Sequence, residues 1–381
     1  MNYIPRAISD NIIRAAGSFP AIVVTGPRQS GKSTLCNTLF PDYSKYNFED
    51  IGLRQSVQLD PNGFLAACGD NVILDEVQHI PDLFSYIQII IDSNPNRRFI
   101  LTGSSNFALM ESITQTLAGR AALFTLLPLS IKELGGCSDV TTDDILFNGF
   151  YPRVVAGKTP VDLYYSSYYS TYVERDVRQL KNITNLSLFQ SFITLAAARI
   201  GSEFNASQLG NEIGVSSNTV KSWMSLLQAS YIAFTLQPYH TNIGKRLTKT
   251  PKLYFYDTGL LCRLLEIETP TQLRNHPLRG NIFENLAVIE LLKEQYNAAR
   301  LPKIYFYREN KGREVDIVRI NGMKLDLFEV KSGQTFSTSF LKNLYYVRAL
   351  FPDNVDKAVV VYDGDYIPPA AINIRRLTSL Y

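Results

Sequence analysis

The chain has 381 residues, of which 45% are hydrophobic and 19% are charged, which is the composition of an ordinary globular protein. Its length is sufficient for two or three domains with ample cores. The formal net charge of +3 is too small to indicate nucleic-acid binding by itself, so any basic surface must be local.

The four cysteines, Cys36, Cys68, Cys137 and Cys262, are far apart and show neither metal-ligand spacing nor a disulfide-rich pattern. Such usage predicts a reducing, cytoplasmic compartment. The first residues lack the apolar run of a signal peptide, and no segment approaches the ~20 apolar residues of a membrane span. We therefore expect a cytoplasmic protein with no membrane partner.

Residues 26–33, with the sequence GPRQSGKS, match the phosphate-binding P-loop pattern G-x-x-x-x-G-K-S/T. An apolar run at 21–24 precedes them, and residues 34–40 read as a helix. Backbone N–H groups of such a loop cradle phosphates, helped by the positive end of the following helix. Lys32 is expected to reach the β and γ phosphates, and the Ser33 hydroxyl to help hold Mg²⁺. The nucleotide-binding residues predicted in this segment are Gly26, Pro27, Arg28, Gln29, Ser30, Gly31, Lys32, Ser33 and Thr34.

Short apolar runs alternate with helical patterns from residue 20 to about 130. The runs are 21–24, 46–49, 72–76, 98–102 and 122–127. This alternation predicts βαβ units, and hence an α/β domain in which a parallel sheet has helices on both faces.

The third run ends in two carboxylates, Asp75 and Glu76. An Asp-Glu pair at a strand end that follows a P-loop predicts a Walker B motif. Asp75 would then hold Mg²⁺, directly or through water, and Glu76 would polarise the attacking water.

The fourth run leads into the turn that contains Thr102 and Ser104. A polar residue at this strand end commonly senses the γ-phosphate, and an ordinary polar turn is the alternative for both residues. Ser104 and Asp75 complete the predicted nucleotide-binding set.

Arg120 comes just before the fifth run. In oligomeric P-loop ATPases, an arginine just before this strand often reaches the γ-phosphate bound by a neighbouring subunit. Its guanidinium neutralises the charge that develops during phosphoryl transfer. A solvated or salt-bridged arginine is the equally weighted alternative. The first reading predicts a homo-oligomer.

Residues 160–200 read as helix, with tyrosines at helical spacing on one stripe. The stripe consists of Tyr164, Tyr165, Tyr168, Tyr169 and Tyr172. Packing in a core or subunit interface is the favoured interpretation, and base stacking is the less favoured one.

Residues 206–228 predict a helix-turn-helix, with helices at 206–213 and 217–228. Asn218, Lys221 and Ser222 should face outward, whereas Val220, Trp223 and Leu227 should pack. Two strand-like runs follow, at 231–237 and 252–256, and the segment between them carries basic residues without an acid. These basic residues are Lys245, Arg246 and Lys249. The pattern predicts a winged helix, which either contacts double-stranded DNA through these residues or serves as a lid or protein contact.

The last hundred residues begin with a predicted helix at 280–295 and a hairpin formed by strands 314–320 and 323–330. Glu284 shares a helix face with Val288 and Leu291, so it should point inward, unlike Glu290 and Glu294. A two-residue loop at Asn321-Gly322 would place Ile320 opposite Met323 and Asp316 opposite Leu327. Asp316 and Glu329 would then be diagonal neighbours on one face, roughly 7 Å apart at Cβ.

Asp316, Glu329 and Glu284 are therefore predicted to form a metal-binding cluster, with Lys331 facing the same way. The cluster resembles the restriction-endonuclease-like, or PD-(D/E)xK, site. That resemblance implies that the acids bind Mg²⁺ and that Lys331 helps to activate water. Here the first acid follows Val315 rather than proline, and a half-buried salt bridge is the alternative reading.

Several segments together resemble a family of prokaryotic AAA+-like ATPases that join an ATPase domain to a poorly characterised C-terminal domain. The segments are 26–33, 75–76, 101–105, 117–120, 172–177, Gly280-x-x-Phe283-Glu284 and 329–333. This resemblance covers nearly the whole chain and implies binding and hydrolysis of ATP, with Mg²⁺. It also implies a structural or nucleotide-adjacent role for Arg175 and Asp176, and it supplies no biological role.

We therefore predict four parts: an AAA+-like P-loop domain (1–135), a helical lid or linker (136–203), a winged helix (204–277) and an α+β restriction-endonuclease-like domain (278–381). The leading hypothesis is an ATPase that acts on or with DNA. The alternative is an ATP-dependent switch that binds a protein partner and uses an inert nuclease-like domain for docking. A weaker third hypothesis is a DNA-binding regulator in which ATP only sets the oligomeric state.

Overall fold

A computed structural model describes residues 3–104, 115–135, 140–177, 183, 185–240, 250–309, 312–366 and 368–380, with backbone alone at 174–177. The chain divides into two compact units. The first comprises Met1–Leu129 with Ala229–Tyr231 and Tyr296–Arg300, and the second comprises the remaining residues. No helix among the described residues has the length and apolar character needed to cross a membrane.

The first unit is built on a parallel sheet of five strands. The strands are β1 (Ala21–Gly26), β2 (Ser44–Asn47), β3 (Asn71–Asp75), β4 (Arg98–Ser104) and β5 (Ala121–Thr125). Their order in the sheet is β2-β3-β4-β1-β5, so β4 lies between the strand that leads into residues 26–33 and the strand that ends at Asp75. Each strand overlaps one of the five apolar runs, although β2 begins and ends two residues before the run at 46–49. The predicted parallel sheet is confirmed.

Helices cover both faces of this sheet, as predicted. They are α1 (Ser9–Ala16), α2 (Lys32–Leu39), α3 (Ile51–Leu59), α4 (Pro61–Ala67) and α5 (Leu83–Ser93). Because successive side chains of a strand point to opposite faces, Ala21 and Val23 belong to one buried cluster and Ile22 and Val24 to another. All four are at most 1% exposed, which explains why the run is continuously apolar rather than alternating.

Beyond Leu129 the chain is first mainly helical. The helices are α6 (Thr142–Asn148), α7 (Pro152–Val155), α8 (Val161–Tyr168), α9 (Leu186–Ala198), α10 (Ala206–Ile213), α11 (Ser217–Ala229), α12 (Thr258–Leu264), α13 (Pro270–Arg274) and α14 (Arg279–Asn297). Helix α8 continues as a π-helix, Tyr169–Val177, and α9 begins anew after Asn185, whose side chain accepts from Leu188 N at 3.1 Å. The expected single helical stretch at 160–200 is therefore interrupted.

Four of the five tyrosines in the stripe of α8 and the π-helix pack into the interior, and Tyr169 is half-buried. Tyr164, Tyr165, Tyr168 and Tyr172 are buried, and the Tyr151 hydroxyl donates to the Tyr168 hydroxyl at 2.7 Å. The ring centroids of Tyr151 and Tyr168 are 4.9 Å apart. Packing is thus the correct interpretation of these four residues, because buried rings are not presented for base stacking.

Helices α10 and α11 form the predicted helix-turn-helix, and an antiparallel pair follows: β6 (Ala233–Leu236) and β7 (Lys252–Phe255). The outer edge of β7 is covered by other parts of the chain. Leu253 exchanges backbone hydrogen bonds with Ser202 O and Gly201 N, at 3.0 and 2.8 Å. The Asn285 side-chain amide bonds both the N–H and the carbonyl of Phe255, at 2.7 and 3.0 Å.

The C-terminal part is a mixed five-stranded sheet with order β12-β11-β10-β9-β8. Its elements are β8 (Ile304–Arg308), β9 (Glu314–Asn321), β10 (Lys324–Lys331), α15 (Leu341–Leu350), β11 (Val355–Tyr362) and β12 (Ala371–Asn373). β8, β9 and β10 pair antiparallel, whereas β10, β11 and β12 pair parallel. An α/β domain followed by an α+β domain is the fold class predicted from the sequence.

The predicted register of the β9–β10 hairpin is wrong. Ile320 pairs with Leu325 rather than with Met323, so the loop is Gly322-Met323. Gly322 has a φ of +61° and Met323 does not have a positive φ, which fits a turn with glycine at its first central position rather than its second. The partner of each residue moves by two positions, which preserves its face of the sheet. The last cross-strand pair of the hairpin is Phe328 with Ile317, immediately before Glu329 on β10 and Asp316 on β9.

The contrast drawn between Glu284 and the other acids of α14 is also wrong. Glu290 is fully buried, accepts from Ile131 N at 2.9 Å and pairs with Lys293 at 2.9 Å. Helix α14 is buried on several faces rather than along one stripe. Helical spacing relative to Val288 and Leu291 therefore does not predict which of its acidic side chains are buried.

Candidate functional site

The loop at residues 26–33 has a backbone that only glycine permits at two positions. Gly26 has a φ of +146°, and a Cβ there would lie 2.2 Å from Leu126 O. Gly31 has a φ of +96° and caps α2, which begins at Lys32. The loop therefore ends where the N–H groups of α2 begin, which is the geometry that receives phosphate.

Lys32 is buried at the start of α2, and its ammonium bonds the loop backbone itself. Its Nζ donates to Gly26 O at 3.2 Å and to Pro27 O at 2.9 Å. Burial lowers the pKa of Lys32, and the nearby charges of Glu76 and Asp75 oppose that shift. The arrangement brings the predicted phosphate-binding lysine and both Walker B carboxylates into one electrostatic cluster.

Asp75 is the last residue of β3, and the neighbouring strand β4 supplies its partner. The buried Thr102 hydroxyl donates to Asp75 Oδ1. Since β3 and β4 run parallel and end at the same edge, the carboxylate and hydroxyl meet there. Thr102 thus contacts the predicted Mg²⁺ ligand.

Glu76 follows in a left-handed conformation, with a φ of +56°, which is unusual for a residue with a side chain. Its Oε2 accepts from the Ser104 hydroxyl at 3.2 Å and from Gln78 Nε2, and Gln78 Nε2 also lies 3.1 Å from Ser104 Oγ. Burial raises the pKa of Glu76, but Lys32 and the bonds from Gln78 and Ser104 outweigh it, so that the pKa is lowered overall. The carboxylate is held ionised and oriented.

Two residues of this site were missed by sequence reasoning. One is Gln78, which follows Glu76 in a short 3₁₀ turn, Val77–His79. The other is the buried Arg6, whose guanidinium donates to Ser30 O at 2.9 Å and to Leu127 O at 2.7 Å. An arginine 20 residues before a P-loop carries no local signal, because only the fold brings it beneath the loop.

Arg28 and Arg120, the two arginines predicted to act at the nucleotide site, each have an acidic partner within the first unit. Arg28 lies 3.5 Å from Glu49. Arg120 forms a two-pronged pair with Asp92 of α5, at 2.6 Å from Nε and 2.8 Å from Nη2. This pair is the salt bridge given above as the alternative interpretation of Arg120. The role of Arg120 in a neighbouring subunit stays a prediction.

On α11 the structure places Asn218 and Lys221 at the surface, Ser222 half-buried, and Val220, Trp223 and Leu227 in the interior. Trp223 packs edge-on against Phe189 of α9, with ring centroids 5.4 Å apart. Lys245, Arg246 and Lys249 lie outside the described residues, as do the side chains of Arg175 and Asp176.

The C-terminal cluster contains more side chains than predicted. Lys331 Nζ lies 2.8 Å from Glu329 and 4.0 Å from Asp316, and Asp316 accepts from Val330 N at 2.7 Å. Glu284 lies instead with Lys252 of β7, at 3.2 Å, and with the Tyr254 hydroxyl, at 2.5 Å. Lys252 also pairs with Glu314. Sequence reasoning missed Lys252 and Glu314.

Charge in this cluster is unbalanced, because four carboxylates face three cations. The carboxylates are those of Glu284, Glu314, Asp316 and Glu329, and the cations are Lys252, Lys331 and Arg308, which lies 3.4 Å from Glu314. Burial and the Asp316 charge raise the pKa of Glu284 and of Glu329 to about 7. Burial alone would lower the pKa of Lys252, but the surrounding carboxylates raise it to about 12. Within the described ranges, no three acidic, histidine or cysteine side chains are arranged so that they could hold a metal ion. The Asp316 charge nevertheless acts on both Glu284 and Glu329, so the three acids lie in one cluster, and their role as metal ligands stays a prediction.

A parallel sheet with a glycine-framed loop after β1 and two carboxylates at the end of β3 defines a P-loop, ATPase-like protein. In agreement, residues 18–135 match a family model described as an AAA domain. Residues 140–271 and 279–379 match models of two domains of unknown function, DUF8612 and DUF4143.

Relatives span most of the chain. An uncharacterized protein of Mycobacterium tuberculosis is 28% identical over 359 residues, 93% of this chain and 78% of the relative. An uncharacterized protein of Haemophilus influenzae is 22% identical over 314 residues, 72% of this chain and 75% of the relative. Among solved structures, a Walker-type ATPase of Pyrococcus abyssi has a TM-score of 0.48 and 14% identity, covering 69% of this chain and 96% of that one.

Proposed function

We propose that the protein binds ATP with Mg²⁺ at residues 26–34 and hydrolyses it. The observation that carries this proposal is the convergence of Lys32, Asp75, Glu76 and Ser104 at one edge of the sheet. Gly26 keeps the loop close to Leu126, and the Ser30 hydroxyl is buried without a hydrogen-bond partner. A narrow loop with a buried cation and an unsatisfied hydroxyl fits a polyphosphate.

Each residue then has a task. Lys32 exchanges its bonds to Gly26 O and Pro27 O for the β and γ phosphate oxygens and neutralises charge on the transferred group. Asp75 and Ser33 would hold Mg²⁺, which would supply charge stabilisation to the phosphates. Glu76 orients and polarises the attacking water, and Ser104 and Gln78 hold Glu76 for that purpose.

ATP turnover by the purified protein tests the proposal. Lys32→Ala should abolish turnover, because the phosphate oxygens lose their cation. The matched control is Lys45→Ala, which removes an exposed lysine from the same sheet and should leave turnover unchanged. Equal turnover by wild type and Lys32→Ala would contradict the proposal.

We further propose that the ATPase acts on or with DNA through α11. This proposal is supported by the helix-turn-helix of α10 and α11 and by exposed Asn218 and Lys221, three residues apart and therefore on one face. Such a face suits a recognition helix, and Lys245, Arg246 and Lys249 would add phosphate contacts.

DNA dependence is measured in the same assay, with double- and single-stranded DNA added. Stimulation of turnover that Lys221→Ala weakens, and that the exposed control Lys158→Ala retains, is the expected result. DNA binding that survives combined loss of Lys245, Arg246 and Lys249 would contradict the role of that segment. Turnover indifferent to DNA would direct attention to the second candidate function.

The second candidate is an ATP-dependent switch that binds a protein partner, with a nuclease-like domain that does not cleave. Its support is the pairing of Glu284 with Lys252, which places an ammonium against one of the predicted metal ligands. Under this candidate, Asp316→Ala should leave ATP turnover and partner capture intact, and no Mg²⁺-dependent DNA cleavage should be measured.

A further inference from the structure

We propose that Lys252 provides a built-in cation in the C-terminal carboxylate cluster, so that the native domain takes no divalent metal there and a divalent site opens when this ammonium is removed. The inference deepens the second candidate function, and it is independent of ATP hydrolysis in the first unit.

The position of Lys252 is that of a bound cation rather than of a surface lysine. The residue is 4% exposed, although lysine is rarely enclosed without compensation. Its Nζ contacts Glu314 and lies 3.2 Å from Glu284 Oε1, and it faces the Phe306 ring at 5.4 Å from the centroid. Two carboxylates and an aromatic face together replace the hydration of the ammonium.

Glu284, Asp316 and Glu329 each have one carboxylate oxygen that is already engaged. Glu284 Oε1 accepts from Lys252 and from the Tyr254 hydroxyl at 2.5 Å. Asp316 Oδ2 accepts from Val330 N at 2.7 Å, and Lys331 lies 2.8 Å from Glu329 Oε1. A Mg²⁺ or Mn²⁺ ion would require these oxygens at about 2.0–2.2 Å and would be repelled by the ammonium beside it.

Removing the ammonium changes this balance. The four carboxylates would then retain Lys331 beside Glu329 and Arg308 beside Glu314, at 3.4 Å, and Glu284 and Glu314 would lose their common partner. Glu329 Oε2, which is buried without a hydrogen-bond partner, adds another acceptor to the cluster. A divalent cation is the species that offsets the excess negative charge and satisfies oxygen ligands at once.

The test is Mn²⁺ binding without nucleotide, by calorimetry and by the shift in Tm, for wild type and for Lys252→Met. Methionine keeps the unbranched stem and removes the charge. We expect at least 10-fold tighter Mn²⁺ binding and a Mn²⁺-dependent rise in Tm for Lys252→Met, and we expect Asp316→Asn in that background to abolish both. Lys252→Arg, which retains a cation, should behave as wild type.

Lys293→Met is the matched control. Lys293 is likewise buried, but it pairs with the buried Glu290 at 2.9 Å and faces the Phe150 ring at 3.8 Å. It should therefore gain no Mn²⁺ binding. An equal gain in Lys293→Met, or no gain in folded Lys252→Met, overturns the proposal.

Wild type gives a second, independent measurement should Lys252→Met fail to fold. A Mn²⁺-dependent rise in the Tm of wild type that Asp316→Asn removes would overturn the proposal, because the native cluster would then bind metal. Wild type and Asp316→Asn that respond identically to Mn²⁺ support it. Neither result depends on ATP turnover, so failure of this inference is distinguishable from failure of the proposed ATPase activity.

Discussion

The Ser104 hydroxyl donates a hydrogen bond to the Glu76 carboxylate across 3.2 Å, although the two residues belong to different βαβ units. Ser104 ends β4 and Glu76 follows β3, its parallel neighbour. The Gln78 amide completes a triangle with both side chains. A carboxylate fixed by two donors has a defined direction, which a base that activates one water molecule requires.

Removal of either donor should therefore lower the rate of hydrolysis more than the affinity for ATP. We expect Ser104→Ala and Gln78→Ala each to reduce kcat by about 10-fold or more with little change in KM, because Glu76 loses orientation while the phosphate loop is unaltered. Steady-state ATP turnover measures both constants. Ser93→Ala, on the exposed side of α5, serves as the control, and a change confined to KM would contradict this role.

Gly26 should not accept a side chain. A methyl group there would meet Leu126 O at 2.2 Å in a backbone conformation with a φ of +146°, so Gly26→Ala should lower the free energy of unfolding by roughly 2–4 kcal/mol. Gly17→Ala is the matched control, since Gly17 has a φ of −73° and an ordinary 3.5 Å approach to Arg14 O. Chemical denaturation distinguishes the two, and equal stability of both variants would refute the argument.

Arg120 can be tested by mixing two inactive proteins. If its guanidinium leaves Asp92 to act on the nucleotide of a neighbour, Arg120→Ala should lose turnover by roughly 100-fold or more, whereas Asp92→Ala should retain it. Adding Lys32→Ala protein, which still carries the arginine, should restore activity to Arg120→Ala subunits. Absence of restoration, with equal losses in Arg120→Ala and Asp92→Ala, would leave only the salt bridge.

Arg6 should support nucleotide binding without touching nucleotide. Arg6→Ala leaves Ser30 O and Leu127 O without their donor in a buried place, and we expect a loss of roughly 1–3 kcal/mol in stability and a higher KM for ATP. Arg6→Lys should recover little, because one ammonium lacks the planar fork that spans two carbonyls. Arg14→Ala, at an exposed position of α1, should change neither quantity.

Glu329→Gln should change the dependence of stability on pH. Burial and the Asp316 charge raise the pKa of Glu329 to about 7, so its ionisation opposes folding as pH rises above the unfolded value near 4.5, fully so above pH 7. The variant stays neutral, and it should exceed wild type in unfolding free energy at pH 8 by roughly 1–3 kcal/mol, with a smaller difference at pH 5. Exposed Glu268→Gln is the control, and a difference independent of pH would contradict the assignment.

The ATPase half was the more predictable half, for a physical reason. Strands that are buried on both faces must be apolar throughout. The backbone conformation of the loop favours glycine at Gly26 and Gly31. Both features can therefore be recognised in short contiguous stretches of the sequence. By contrast, the C-terminal carboxylate cluster is assembled from four separate elements, β7, α14, β9 and β10. Lys252 lies 32 residues from Glu284, and nothing in its neighbourhood indicates that it is buried.

The hairpin shows how an incorrect prediction can retain a correct part. The loop is Gly322-Met323 rather than Asn321-Gly322, because Gly322 takes the first turn position. Moving the partner of each residue by two positions leaves every side chain on its predicted face, so Asp316 and Lys331 still meet, at 4.0 Å. A register error of two residues changes the cross-strand partner of each residue but not the face of the sheet on which its side chain lies.

The amide of Asn285 occupies the place of a further strand beside Phe255, and Leu253 is matched by Ser202 and Gly201. Those backbone groups would otherwise be a template for another chain. A short two-stranded ribbon is thereby guarded against edge-to-edge aggregation. The outer edge of β7 is likewise closed to peptides that bind by strand addition, so a protein partner at this edge would have to be recognised through side chains.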